Sequence, residues 1–132
     1  MAEKSVVRTE RAPAPFQGAP YSQAIQVGDF VFVSGQLALR PGGSEMFGDT
    51  IADQTEQVMA NLGAILEEAG SSLDRLVKTT VFLADLADFQ GMNEVYARHV
   101  GDRPPARSTV EVAALPSGAL VEIEAIAAIR SK

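Results

Sequence analysis

The fold of this chain is decided by the stretch Leu76–Gly101, LVKTTVFLADLADFQGMNEVYARHVG. Its first part, Leu76–Leu83, is rich in β-branched residues, a composition typical of a strand. Asp85 or Asp88 can then cap a helix along which apolar side chains recur at helical spacing, and Gly101 ends that helix. The stretch therefore predicts a strand followed by a helix.

Similar signals on either side extend this prediction to the whole chain. After the helix, Pro104-Pro105 prevents continuation. Upstream, Thr50 with Asp53 resembles a capping box, apolar residues follow at helical spacing, and Gly70 fits the left-handed position that ends a helix. Further strands are predicted at Ser5–Thr9, Gln23–Val27, Phe30–Leu39, Ala106–Ala113 and Leu120–Ile129. The order of elements is β-β-β-α-β-α-β-β.

This order indicates an α+β fold with one mixed sheet. Each helix joins two strands, so both crossovers should be right-handed. The apolar stripes of the helices pack most simply on one face of the sheet. Two helices cannot cover both sides of a sheet rich in Val, Ile, Phe and Ala. We therefore expect an oligomer in which the open faces pack together.

Composition limits the classes of protein to which the chain can belong. Its 132 residues suit one domain, expected over residues 1–132. It has no cysteine, which excludes thiol catalysis and, with the lack of an apolar leader, favours a cytoplasmic location. The formal charge of −6 and the scattered Lys and Arg residues argue against nucleic-acid binding. No apolar run is long enough to span a membrane.

Standard catalytic signatures are missing from the sequence. There is no Walker A, G-x-G-x-x-G, G-x-S-x-G or H-E-x-x-H motif. The single histidine, His99, cannot build a histidine metal cluster. Its position in the last turn of the second predicted helix favours an interaction with the helix dipole over catalysis. From the residues alone, we expect no metal site.

The most informative polar residues lie in the last two strands. In residues 106–112, ARSTVEV, alternation places Arg107, Thr109 and Glu111 on one face. Arg107 closely follows a rigid Pro-Pro pair, and its planar guanidinium suits a carboxylate ligand. It can instead form a structural ion pair with Glu111 or with Glu122 of the next strand, and spacing alone favours this second interpretation.

Other polar residues also admit both a functional and a structural interpretation. Tyr21 can be a packing aromatic whose hydroxyl is satisfied. Asn93 can be a solvated helix residue, and Ser34-Gly35-Gln36 can be a strand with a bulge.

Six sequence segments lie in a fixed order along almost the whole chain. Each is a weak signal alone, but the ordered set is specific. They are residues 19–24 (APYSQA), 33–36 (VSGQ), 77–89 (VKTTVFLADLADF), 92–96 (MNEVY), 105–112 (PARSTVEV) and 115–127 (LPSGALVEIEAIA). Together they resemble the RidA family of reactive intermediate deaminases, also called the YjgF family. The resemblance implies a chorismate-mutase-like α+β fold with two helices on one face of the sheet, and a homotrimer that buries the other face.

The resemblance also implies an activity. The family hydrolyses 2-aminoacrylate, 2-aminocrotonate and their imine tautomers to 2-keto acids and ammonia, without a cofactor and in clefts between subunits. By position, Arg107 would bind the substrate carboxylate and Glu122 would hold or polarise the attacking water. Tyr21 would complete the catalytic set.

The same resemblance assigns the lining of the cleft. Tyr21 and Asn93 would shape it and contact the substrate. Gly35 would let backbone groups approach the ligand, and Thr109 would line the cleft where many members have Cys.

Departures from the family pattern leave the substrate open. They are Ala19 for a frequent Gly, Thr109 for Cys, Ala38 for a frequent Pro, and a distinctive loop at residues 40–50. Alternatives to the deaminase are a related hydrolase with a different enamine substrate, and a non-catalytic carboxylate-binding or chaperone-like trimer. Arg107 beside Glu122 should keep that carboxyl ionised, unless burial dominates.

Overall fold

The computed structural model describes residues 3–130 and has the predicted order of elements. The six strands are β1 (Ser5–Val7), β2 (Ala24–Val27), β3 (Phe30–Gln36), β4 (Leu76–Leu83), β5 (Ala106–Glu111) and β6 (Val121–Ala128). The two long helices are α1 (Ile51–Glu68) and α2 (Phe89–Val100). The expected α+β class is confirmed.

All six strands belong to one mixed sheet, in the order β1-β2-β3-β6-β4-β5. Strands β4 and β5, which α2 joins, are parallel, whereas β6 runs antiparallel to both of its neighbours, β3 and β4. The last strand of the chain therefore lies inside the sheet, between the two strands that α1 joins. This topology places Glu122 on an inner strand and Arg107 on the edge strand β5.

The helix boundaries follow the signals in the sequence. The Thr50 hydroxyl accepts a hydrogen bond from the Asp53 N–H at 3.1 Å, as a helix cap does. Gly70 and Gly101 adopt φ angles of +83° and +74° just beyond α1 and α2. Asp85 caps the short helical turn that precedes α2, not α2 itself.

The hydrophobic core lies between the two helices and one face of the sheet, as predicted. Its largest fully buried side chains are Met59, Leu62, Ile65 and Leu66 of α1, Met92 of α2, and Val31, Val81, Leu83, Val121 and Ile123 of the sheet. Burying one such side chain contributes roughly 1.5–3 kcal/mol. This layer therefore fixes which face of each strand points inward.

The opposite face of the sheet is open in the single chain. Phe30 and Phe32 of β3 are 43% and 45% exposed, and Val110 of β5 is 43% exposed. Large apolar side chains grouped on one surface are typical of an interaction site. The packing of these open faces in a trimer stays a prediction.

Strand β3 ends at Gln36 and not at Leu39, where the sequence pattern placed its end. Its pairing with β6 shifts register between Val33 and Gln36, in the segment where the sequence allowed a bulge. Beyond the shift, the carbonyls of Leu37 and Leu39 accept hydrogen bonds from the buried Asn61 amide at 3.0 and 2.9 Å. These carbonyls are satisfied by a helix side chain, so the strand does not continue.

Strand β1 is also shorter than predicted and ends at Val7. The N–H of Thr9 donates to Oε1 of Gln23 at 2.7 Å, which takes the chain out of the sheet. Strand β5 ends at Glu111, two residues before the predicted end at Ala113.

Candidate active site

The predicted site residues lie on opposite faces of the sheet. Thr79 of β4 pairs with Arg107 of β5 and with Ala125 of β6, and Thr79 is completely buried under the helices. Glu122 pairs instead with Phe82, three residues further along β4. Because side chains alternate along a strand, Arg107 projects from the helix-covered face and Glu122 from the open face.

Two groups of residues follow from this arrangement. We call Asn93, Arg107 and Thr109 the arginine half, since all three lie on α2 or on the helix-covered side of β5. We call Tyr21, Gly35 and Glu122 the glutamate half, since these three line one cavity. Each half is assembled within the chain, but the two halves do not meet within a single chain.

The side chain of Arg107 packs against two aromatic rings of α2. The guanidinium carbon lies 4.9 Å from the centroid of the Tyr96 ring and 5.5 Å from that of Phe89, within cation–π distance. The Tyr96 hydroxyl is 2.6 Å from the Thr79 hydroxyl, which fixes the ring. Burial raises the pKa of Tyr96, against the opposing effects of the Thr79 hydrogen bond and the Arg107 charge, so the hydroxyl stays neutral.

Arg107 forms no ion pair within residues 3–130. Glu111, one of its predicted partners, accepts a hydrogen bond from the Leu86 N–H at 2.8 Å. Glu122, the other predicted partner, lies across the sheet. The structural ion-pair interpretation of Arg107 is therefore wrong for residues 3–130, where this half-buried cation has no carboxylate partner.

The other two residues of the arginine half carry unpaired polar atoms. Asn93 Oδ1 and Thr109 Oγ1 are shielded from solvent and have no hydrogen-bond partner among residues 3–130. Only one further side-chain atom of that range, Arg75 Nε, is in this state. Buried polar atoms are nearly always paired, so such atoms call for a ligand, a water or a neighbouring chain. Asn93 and Arg107 line a shallow cavity of about 380 Å³.

In the glutamate half, the carboxyl of Glu122 occupies the space above Gly35. A Cβ atom built at Gly35 would overlap Oε2 of Glu122 and lie 2.9 Å from its Cδ. Glycine at this position therefore makes room for the carboxyl. Burial, helped by the charge of Glu124, raises the pKa of Glu122. The expectation that Arg107 lowers the pKa of Glu122 is wrong for the single chain, because burial dominates and the cation lies on the other face.

Tyr21 lies at the exposed side of the same cavity. Its hydroxyl accepts a hydrogen bond from the Phe16 N–H at 2.6 Å and keeps its own proton available for donation. The Ser34 hydroxyl, next to Gly35, donates to the carbonyl of Ser22 at 2.6 Å and ties β3 to the Tyr21 segment. The cavity that these residues line has a volume of about 430 Å³.

Some features of the site were not foreseen from the sequence. The seat that Phe89 and Tyr96 provide for Arg107 was missed, although both residues lie on the apolar stripe of α2. His99 is 2.5 Å from Oε1 of Glu56 on α1, so it links the two helices at the end of α2.

Within residues 3–130, no group of His, Asp or Glu side chains is arranged to hold a metal ion. No helix in the same part of the chain combines the length and the apolar character that a membrane crossing requires.

Within residues 3–130, the fold and the two halves define a class. It is a small α+β protein with a mixed six-stranded sheet, a guanidinium without a carboxylate partner on one face and a partly buried carboxyl on the other. Comparison with known proteins agrees with this class. Residues 9–129 match the Endoribonuclease L-PSP family. The RutC family protein PYRAB12510 of Pyrococcus abyssi is 52% identical over 124 residues, which are 94% of this chain and 96% of that protein.

Two further relatives carry the names of deaminases. Reactive Intermediate Deaminase A, chloroplastic, of Arabidopsis thaliana is 50% identical over 96% of this chain and 67% of its own length. The 2-iminobutanoate/2-iminopropanoate deaminase of Mus musculus is 44% identical over 94% of this chain and 90% of its own length.

Solved structures show the same fold. The crystal structure of YEO7_yeast has a TM-score of 0.92 at 45% identity and covers 97% of this chain and all of that one. E. coli TdcF with bound serine has a TM-score of 0.87 at 40% identity and covers 96% of this chain and 99% of that one. The chain belongs to the YjgF/RidA family, as the sequence segments predicted.

Proposed function

We propose that this chain hydrolyses 2-imino acids and their enamine tautomers to 2-keto acids and ammonia. One observation carries the proposal: Arg107 is a permanently charged group, half-buried on aromatic rings, with no carboxylate partner in residues 3–130. A guanidinium in this state is suited to bind the carboxylate of a small organic acid. The deaminase-named relatives support an imino acid as that ligand. The relative TdcF, solved with serine, supports a small amino-acid-like carboxylate.

The site is proposed to be completed between subunits. Because the two halves lie on opposite faces of the sheet, one substrate can reach both only where two chains meet. We propose a homotrimer in which the arginine half of one subunit faces the glutamate half of its neighbour. A closed ring repeats one such contact at each interface. The exposed Phe30, Phe32 and Val110 supply apolar area for this contact.

The groups of the two halves match the needs of imine hydrolysis. Water adds to the carbon of the C=N bond, protons move to the nitrogen, and the C–N bond then breaks to give the keto acid and ammonia. Glu122, whose pKa is raised, can hold the water and exchange a proton with it. The Tyr21 hydroxyl has a free proton to give to the substrate. A positioned acid or base contributes about 10²–10⁴-fold, and no metal or organic cofactor is needed for these steps.

The test is an assay of imine loss. A pyridoxal-phosphate dehydratase generates 2-iminobutanoate from threonine, and a trapping agent reports the imine that remains. The wild-type chain is expected to speed keto-acid formation. Arg107→Ala should lower kcat/KM by about 100-fold or more, since the substrate loses its anchor. Arg11→Ala is the matched control, because that guanidinium pairs on the surface with Glu67 at 3.1 Å and should leave the rate unchanged.

Several outcomes would contradict the proposal. Full activity in Arg107→Ala, with an unchanged circular-dichroism melt, would remove Arg107 from the site. Binding of pyruvate that depends on Arg107, without turnover of any imine, would favour a non-catalytic carboxylate-binding trimer. Turnover restricted to other enamines would favour the related hydrolase.

A further inference from the structure

The cavity of the glutamate half has a large apolar wall that the proposed reaction does not use. Its volume of about 430 Å³ falls in the range of roughly 300–1,000 Å³ that is typical of sites for whole small molecules. Glu122 and Tyr21 supply polar groups to this cavity. The remaining wall includes Pro13, Phe16, Leu37, Leu39 and Pro116.

Part of this wall belongs to a second hydrophobic cluster, separate from the main core. Leu37 and Leu39 are buried in it, and Phe16 packs against them. Satellite clusters of this kind form under loops. Here the cluster places apolar surface next to Glu122, where a polar reaction alone would need none.

Buried amides hold the wall in place before any ligand arrives. The Asn61 amide, 1% exposed, donates to the carbonyls of both Leu37 and Leu39. The Gln23 amide, 4% exposed, donates to the carbonyl of Pro13 at 2.9 Å. The wall is therefore preformed, as small-molecule sites usually are.

Backbone strain is concentrated at the same wall. Within residues 3–130, Gln17 and Ser117 are the only residues other than glycine with positive φ, at 54° and 55°. They lie in the turns Phe16–Gly18 and Pro116–Gly118, which carry two of the wall residues. Strain of this kind persists where the surroundings fix the backbone, and it is common at ligand sites.

We infer that this apolar pocket receives the side chain of the substrate, and that the chain prefers 2-imino acids with branched or aromatic side chains over those with a methyl or ethyl group. The inference rests on the proposed function and specifies its substrate class. A methyl group beside Glu122 would leave most of the wall without contact. Each methylene that fills an apolar pocket is worth about 10–200-fold in specificity.

The experiment compares imino acids generated by an L-amino-acid oxidase from alanine, leucine and phenylalanine. The expected result is a kcat/KM at least about tenfold higher for the leucine- or phenylalanine-derived imine than for 2-iminopropanoate. Equal or lower values for the bulky imines would overturn the inference and leave the proposed function standing. Failure to hydrolyse any of the three would overturn the proposed function itself.

The second part of the test fills the pocket with a larger side chain introduced by mutation. Ala19 is half-buried in the cavity wall, so Ala19→Leu should lower the bulky-to-small ratio of kcat/KM by about tenfold or more. Ala60→Leu, the same change on an exposed position of α1, should leave the ratio as in the wild type. If Ala19→Leu does not fold, Ala14→Leu on the exposed rim of the cavity replaces it. A folded pocket variant that keeps the wild-type ratio overturns the inference.

Discussion

The arginine half and the glutamate half are built by different means. Arg107 extends from an edge strand and rests on the rings of Tyr96 and Phe89, so regular secondary structure positions it. Glu122 also lies on a strand, but its surroundings come from the irregular end of β3 and from the segment around Tyr21. In the arginine half, the cation is held against aromatic rings of a helix. In the glutamate half, the pocket around the carboxyl is formed mainly by irregular segments.

The difference shows how a chain can keep two opposite charges apart. On one face, Arg107 and Glu122 would attract each other, lower the pKa of the carboxyl and occupy the guanidinium. With the sheet between them, the carboxyl has a raised pKa and the guanidinium has no carboxylate partner in the described chain. Within the described part of a single chain, the guanidinium and the carboxyl therefore do not neutralise each other.

The largest expected effect comes from mixing two inactive variants. Arg107→Ala disables only the arginine half, and Glu122→Gln disables only the glutamate half. If each site takes one half from each of two neighbouring subunits, random mixed assembly restores about a quarter of the wild-type sites. The measurement is imine hydrolysis after co-denaturation and refolding of equal amounts of the two chains.

The controls for this experiment are each variant refolded alone and a mixture made without denaturation. The variants alone should stay at about 1% of wild-type activity or below. A refolded mixture that is no more active than its components would place both halves of the site within one chain, against the proposal.

A smaller loss of activity is expected when the space above Gly35 is filled. In Gly35→Ala the new methyl group displaces the flexible carboxyl of Glu122, so kcat/KM should fall about tenfold or more while stability changes little. Gly43→Ala is the matched control, because a Cβ at that position meets only the Arg40 carbonyl, at 3.9 Å. Equal activities in the two variants would show that the position of the Glu122 carboxyl is unimportant.

The smallest effect is a change in the ionisation of Glu122. If the Arg107 of a neighbouring subunit lies near this carboxyl in the assembled protein, Arg107→Ala removes a positive charge. The pKa of Glu122 should then be higher in the variant than in the wild type. A carbon-13 NMR titration of labelled glutamate measures both values. Identical pKa values of Glu122 in wild type and variant would show that Arg107 and Glu122 lie far apart in the assembled protein as well.

The raised pKa of Glu122 also makes the stability of the fold depend on pH. In the single chain, burial raises the folded-state pKa of Glu122 above the ordinary value of 4.5. The protonated carboxyl therefore adds stability that is fully present below pH 4.5 and is lost as the pH rises through the folded-state pKa. If the Arg107 of a neighbouring subunit lies near Glu122, Arg107→Ala should extend this loss to higher pH, which thermal melts between pH 4 and pH 8 can follow.

Local signals in the sequence predicted most of the secondary structure. Thr50 and Gly70 bound α1 as expected, and Gly101 ends α2, because caps and left-handed glycines act within a few residues. The ends of β1 and β3 were predicted less well. They depend on side-chain amides, Gln23 and Asn61, that bind backbone groups far away in the sequence.

By itself the sequence determined the class of fold, the alternation that separates inward from outward side chains, and the family, since these follow from local spacing and from segments in a fixed order. Only the tertiary structure decided that Arg107 and Glu122 face opposite sides of the sheet. That outcome depends on how β4, β5 and β6 pair in register, and on the burial of one face of β6 under the helices. Register is set by packing between distant segments, so alternation within each strand cannot reveal it.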